Sequence, residues 1–153
     1  MDLKNKAGIM AIIDEYGPDV AELGRYLGWL ESKQGENLME VYDPSKGVGG
    51  TIKFPVYDGT LMNFVRTADK TKFINRNYQY SFNKYRLRTV ADELSFIEKA
   101  EIKDIKVMGD ILSKYIIKGR TKGSMWSEGV SNGVYYAAIR KMKELIEFWT
   151  KPF

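Results

Sequence analysis

The sequence predicts a mainly α-helical protein with a small β-hairpin: one compact domain of about six helices over residues 1–153, the hairpin inserted around 38–58. Three observations lead there. Apolar residues recur at helical spacing through most of the chain. β-favouring residues bounded by glycine and proline are confined to one early stretch. No repeat, low-complexity tract or flexible linker divides the 153 residues. With 44% hydrophobic residues, the chain is large enough to bury a core without disulfides or metal.

Leu3, Ala7, Met10 and Ile13 suit a first helix, expected to end at Tyr16, Gly17 and Pro18. Proline can begin the next helix. There Val20, Leu23, Leu27 and Leu30 share a face, and Asp19 and Glu22 place negative charge near the N-terminal amides until SKQGEN breaks the pattern. From Leu38 to Asp58, LMEVY and TIKFPVYDG read as short strands around the turn-rich DPSKGVGG, with Pro55 placing the second at an edge. GVGGTIK lacks the spacing of a phosphate-binding loop and leads into an extended segment, not a helix.

Thr60 is the expected cap of a helix burying Leu61, Phe64, Val65 and Ala68, and Tyr78, Phe82 and Tyr85 are the expected inward face of the next. Thr89 and Asp92 form a capping pair ahead of Val90, Leu94 and Ile97. Ile105, Met108, Leu112, Tyr115 and Ile116 give a strong apolar face ending near Gly119. Val134, Ala138, Met142, Leu145, Ile146 and Trp149 form the clearest stripe, opened at Gly133 and closed by Pro152. Burial of that stripe contributes on the order of ten kcal/mol before entropy is set against it.

Charge and missing residue types narrow the function. Net charge is +4, but residues 1–60 hold 6 Lys/Arg against 10 Asp/Glu, and residues 61–153 hold 18 against 10. That asymmetry is a prior for an anionic partner on the second half. With no histidine and no cysteine, the commonest general base, imidazole ligands, thiolate nucleophiles and zinc-thiolate sites are excluded, and neither a cofactor nor a metal is expected. The stretch MDLKNKAGIMAIIDEYG lacks the features of a signal peptide, and no segment reaches membrane-spanning length. The expectation is a soluble, cytoplasmic protein with no membrane contact.

Other chemical patterns are weak. Ser81 and Lys84 match S-x-x-K without the partner motifs of serine acyl-enzymes. Asp92, Glu93, Glu98, Glu101 and Asp104, with Glu101 and Lys103 as E-x-K, suggest a carboxylate-dependent enzyme. They fall around successive helices, however, and are expected to be solvated. Lys106, Asp110 and Lys114 likewise read as an exposed ion-pair stripe.

The stretch from Arg66 to Arg88 carries more weight. Arg66, Lys70, Lys72, Arg76, Lys84, Arg86 and Arg88 are opposed only by Asp69, with Phe73, Tyr78, Tyr80, Phe82 and Tyr85 interleaved. Cations neutralise phosphates and rings stack on bases, although rings at helical spacing also fill cores. A second cationic cluster follows in KGRTKGSMWSEGVSNG. Gly119 is expected to end one helix, Gly123 to permit a tight turn, Ser124 to cap a short helix and Gly133 to open the last. Lys118, Arg120 and Lys122 exceed what a helix C-terminus needs, and Trp126 is either a core plug or a partner anchor. The candidate partner contacts are Arg76, Lys84, Arg86 and Arg88, with Lys118, Arg120, Lys122 and Trp126.

NYQYSFNKYRL (residues 77–87) and residues 97–146, with K-G, G and W leading to G-V before the last helix, carry a resemblance. They resemble an uncharacterised family of small proteins from Gram-positive bacteria, their phages and mobile elements. Many members of that family have R-x-E-R-F where this chain has Lys118-Gly119-Arg120-Thr121-Lys122, so a site dependent on that glutamate would be missing. The resemblance implies no activity to carry over. The expected function is a nonenzymatic phage or mobile-element protein that binds a host protein or nucleoprotein, such as a CRISPR-type defence complex. The alternative is direct nucleic-acid binding through the basic aromatic surface, and a carboxylate-dependent enzyme is the third reading.

Overall fold

The computed structural model describes residues 3–42 and 54–151. Among them are eight α-helices, against about six expected, and two four-residue strands. The loop DPSKGVGG lies outside the described residues.

The first expected boundary is absent. Leu3–Gly24 is one helix, α1, with Pro18 inside it. Proline removes one backbone bond, at a cost of about 3 kcal/mol. Ile13, Tyr16, Val20 and Leu23 nevertheless form one buried stripe straight across that position, and burying several large side chains outweighs one lost bond. The chain breaks instead at Arg25 and Tyr26, and the short α2, Leu27–Ser32, follows. Gly35 N donates to Ser131 O at 2.8 Å and Leu38 N to Ser127 Oγ at 2.8 Å, which fixes the approach to β1, Met39–Tyr42. β1 pairs antiparallel with β2, Phe54–Tyr57, Met39 opposite Tyr57 and Val41 opposite Pro55.

The cap of α3, Gly59–Asp69, is Asp58 and not Thr60: its Oδ1 accepts from Thr60 N at 2.8 Å and Leu61 N at 3.1 Å. A carboxylate there also complements the helix dipole. Helix α4 is Tyr78–Lys84 and α5 is Val90–Lys99, the latter opened by the expected Thr89–Asp92 capping box. After a 3-10 turn at Ile102–Asp104 comes α6, Ile105–Gly119. It is the central helix: Met108, Ile111, Leu112, Tyr115 and Ile116 are almost completely buried, and α3, α4, α7 and α8 pack around it. A helix buried this thoroughly reads apolar on more than one face. Helices α7, Ser124–Ser131, and α8, Val134–Thr150, complete the fold.

Between them Gly133 adopts φ 82°, a left-handed conformation that glycine takes without steric cost. Asn132 Oδ1 holds the turn by accepting from Val134 N at 2.9 Å. The last stripe divides. Val134, Ala138 and Met142 are buried, whereas Leu145, Ile146 and Trp149 are only partly covered.

Candidate interaction surface

Helix α4 is pinned to α6 through its inward side. Tyr78, Ser81 and Phe82 are buried. Ser81 Oγ donates to Asp110 Oδ2 at 2.5 Å, and Asn75 Nδ2 donates to Asp110 Oδ1 at 2.9 Å. Ser113 Oγ accepts from Asn75 N at 3.0 Å and lies 2.8 Å from Gly109 O and 3.0 Å from Phe73 O, donating to one of them. Phe73 stacks on Tyr16 at 4.8 Å and presses on Gly109, where a Cβ would come within 2.6 Å of its ring. With its inner side fixed, α4 presents its outer side rigidly.

That outer side is basic and aromatic. Residues 70–91 contain no Asp or Glu. Arg76, Lys84, Arg86 and Arg88 are all exposed, as is Tyr80 at 71%. Tyr85 is also exposed, at 37%; it is not the inward residue its spacing suggested, because α4 has already ended at Lys84. Its ring instead packs on Phe96 at 5.0 Å and receives Lys84 Nζ at 5.4 Å.

The end of α4 carries backbone strain. Leu87 N donates to Phe82 O at 2.9 Å and Arg86 N to Asn83 O at 3.4 Å, the bonding of a Schellman helix end. Its left-handed position belongs to Arg86, at φ 54°, where glycine is usual. Asp92 Oδ2 anchors the next turn by accepting from Arg88 N at 2.9 Å and Thr89 N at 3.0 Å. Those backbone bonds hold its carboxyl below the ordinary aspartate range.

The second cationic cluster stands elsewhere. Lys118, Arg120 and Lys122 are exposed around the C-terminal end of α6. Arg86, by contrast, shares a cleft with Ala100 and Asp104, at the helix's other end. Fifteen residues at about 1.5 Å each give α6 a length of roughly 22 Å between the end near Arg86 and the end carrying Lys118. Arg120 is moreover committed to Asp69, 2.5 Å away. Arg86 and the 118–122 cations therefore lie toward opposite ends of α6, whereas Arg76 follows Asn75, which bonds to Asp110 and Ser113 midway along it.

Trp126 is neither a fully buried plug nor an exposed anchor. It is half-buried, and its indole Nε1 donates to Ile116 O at 2.9 Å. Arg120 N bonds instead to Ile117 O, so the tryptophan takes one of the carbonyls that a helix end leaves without an intrahelical partner. Gly119 ends α6 as expected, and its missing side chain serves close approach of the indole, with Arg120 beyond it still in the right-handed region. Gly123 lies in a turn, as expected, but at an ordinary φ of −57°, and it, not Ser124, occupies the cap position of α7.

Sequence periodicity missed a buried polar cluster. Glu93, expected to be solvated, is 1% exposed; it pairs with Lys114 and accepts from the Tyr115 hydroxyl at 2.7 Å. Asn132 Nδ2 donates to that hydroxyl at 3.0 Å, so the cluster ties α5, α6 and the α7–α8 turn together. Burial first, and then the bond to Glu93, raises the Tyr115 phenol above its ordinary range. Of the expected exposed stripe Lys106–Asp110–Lys114, only Lys106 faces solvent. Asp110 is held by Ser81 and Asn75, while Lys114 lies against the Phe82 and Tyr115 rings. The alternation of charge on α6 looked like a surface stripe, but it supplies partners to two flanking helices.

Glu101 and Lys103 form an exposed pair at 3.4 Å. Among the described residues no group of three or more acidic side chains converges to hold a metal ion, and no helix is long and apolar enough to cross a membrane. Comparison with protein-family models, curated proteins and solved structures finds no match.

Proposed function

We propose that this protein is a nonenzymatic binding protein that engages another protein, or the protein part of a nucleoprotein, through the outer side of α4. One observation carries the reading: an acid-free stretch exposes Arg76, Tyr80, Lys84, Arg86 and Arg88 along and beside α4, which Ser81 ties to Asp110 of α6. Tyrosine and arginine on a rigid base have the composition of protein-interface hot spots. An acidic protein surface is their electrostatic complement. The resemblance read in residues 77–87 and 97–146 to small proteins of Gram-positive bacteria, their phages and mobile elements is in keeping with a host target, including a defence complex of the CRISPR type.

Direct nucleic-acid binding is the second reading, favoured by the four cations beside two exposed rings. Burial of Phe73, Tyr78 and Phe82 weakens it by removing three of the five interleaved rings. The remaining pair lies on and beside one short helix, not along a groove that tracks a strand.

Affinity capture from host lysate, with and without nuclease, tests both. The protein-binding reading expects a reproducible protein partner, unaffected by nuclease and lost with Tyr80→Ala plus Arg86→Ala. Recovery of no partner overturns it. Nuclease-sensitive capture, with oligonucleotide affinity falling at a log-log salt slope of roughly −3 to −4 for four phosphate contacts, replaces it with the second reading.

A further inference from the structure

The second half of the α8 stripe opens onto an apolar groove. Ile9 and Ile12 of α1, Ile102 of the 3-10 turn, and Leu145, Phe148 and Trp149 of α8 line a volume of about 950 Å³. Phe148 stands on its border at 66% exposure, edge-on to Trp149 with centroids 5.3 Å apart. A large exposed ring beside an apolar recess is both a projection and a receptacle on one patch. Such a patch is self-complementary under two-fold symmetry, where each copy offers the same surface to the other.

The charges around Phe148 match that arrangement. Glu144, Phe148 and Lys151 fall at i, i+4 and i+7 on α8 and its C-cap, on one exposed stripe. An antiparallel pairing of two α8 helices about an axis near Phe148 sets Glu144 of each copy against Lys151 of the other. Parallel pairing would instead put like charges together. Glu144 also bonds Arg140 within its own helix at 2.9 Å, so pairing with Lys151 shares or exchanges that contact.

We propose that α8 is a self-association surface, on which two copies of this chain pair antiparallel and each Phe148 enters the other's α1–α8 groove. This surface is independent of α4, which packs on α6, so dimer formation leaves the α4 reading untouched. It would present two α4 faces to a partner.

Sedimentation equilibrium or light scattering from about 1 μM to about 500 μM tests the proposal. The expected result is a concentration-dependent monomer–dimer equilibrium. Phe148→Asp should raise the dissociation constant at least about tenfold without changing helicity, or the thermal midpoint measured at concentrations where the wild-type chain is monomeric. Glu144→Lys should weaken association, and Glu144→Lys combined with Lys151→Glu should restore it by exchanging the two signs. A monomer throughout that range overturns the proposal, as does a dimer indifferent to Phe148→Asp or a double exchange that fails to recover. Capture of a foreign amphipathic helix by a monomeric wild-type chain, lost with Phe148→Asp, would assign the groove to another protein and overturn it equally.

Discussion

A Cβ on Gly119 would lie 2.0 Å from the indole Cδ1 of Trp126, closer than any real side-chain contact. The α6–α7 connection therefore closes on an absent side chain. Gly119→Ala is expected to force the indole away from Ile116 O and destabilise the protein by about 1–3 kcal/mol. Gly28, in α2, has nothing within 4 Å of its missing Cβ, so Gly28→Ala should stabilise by about 0.5–1 kcal/mol. Urea denaturation of the two variants gives opposite signs; equal effects would remove the close-approach explanation.

The buried Glu93–Lys114 pair predicts strong non-additivity. Lys114→Met leaves a carboxyl 2% exposed without its cation and should destabilise by about 3 kcal/mol or more. Glu93→Leu strands Lys114 and costs a similar amount. The double variant removes both charges and should cost clearly less than the sum. A double-mutant cycle measured by chemical denaturation checks it, and additive losses would mean that the pair is not coupled.

Alkaline pH should unfold the protein through its buried phenols. Burial raises Tyr115 and Tyr135 above the usual value of 10.0, so in the folded state both stay neutral where the unfolded chain ionises. A raised folded value gives stability that is complete below about pH 10 and lost above it, at about 1.4 kcal/mol per pH unit for each group. Denaturation midpoints should be flat from pH 8 to about pH 10 and fall beyond it. Burial raises Tyr16 as well, so Tyr115→Phe should remove about a third of that slope, and an unchanged slope would exclude Tyr115 as a source.

Arg86 separates stability from binding. Glycine at its left-handed position should stabilise the protein by about 0.5–1 kcal/mol. Under the α4 reading, the same Arg86→Gly change should weaken partner capture. Higher stability with undiminished capture would show that Arg86 is merely tolerated there.

How far the sequence reached follows from which interactions are local. The α5 start was legible because Thr89 and Asp92 bond to each other's backbones three residues apart. The core faces of α3 and α6 were legible because burial repeats with the helix period. Pro18 misled because a local backbone penalty was opposed by packing from other elements, and Thr60 because Asp58 was the better acceptor two residues earlier. Glu93, Asp110 and Lys114 looked solvated because their hydrogen-bonding partners are 21 to 35 residues away, beyond any periodic window.

Composition and periodicity alone determined a mainly helical chain, its cationic second half and the loss of histidine and cysteine chemistry, since these follow from side-chain type and short-range spacing. Tertiary structure alone decided that Tyr80 faces outward while Phe82 does not, that Arg86 and Lys118 lie toward opposite ends of α6, and that the last stripe stays half uncovered beside Phe148. The reason is physical: exposure, ion pairing and close approach depend on which distant elements meet, and no local repeat encodes that meeting.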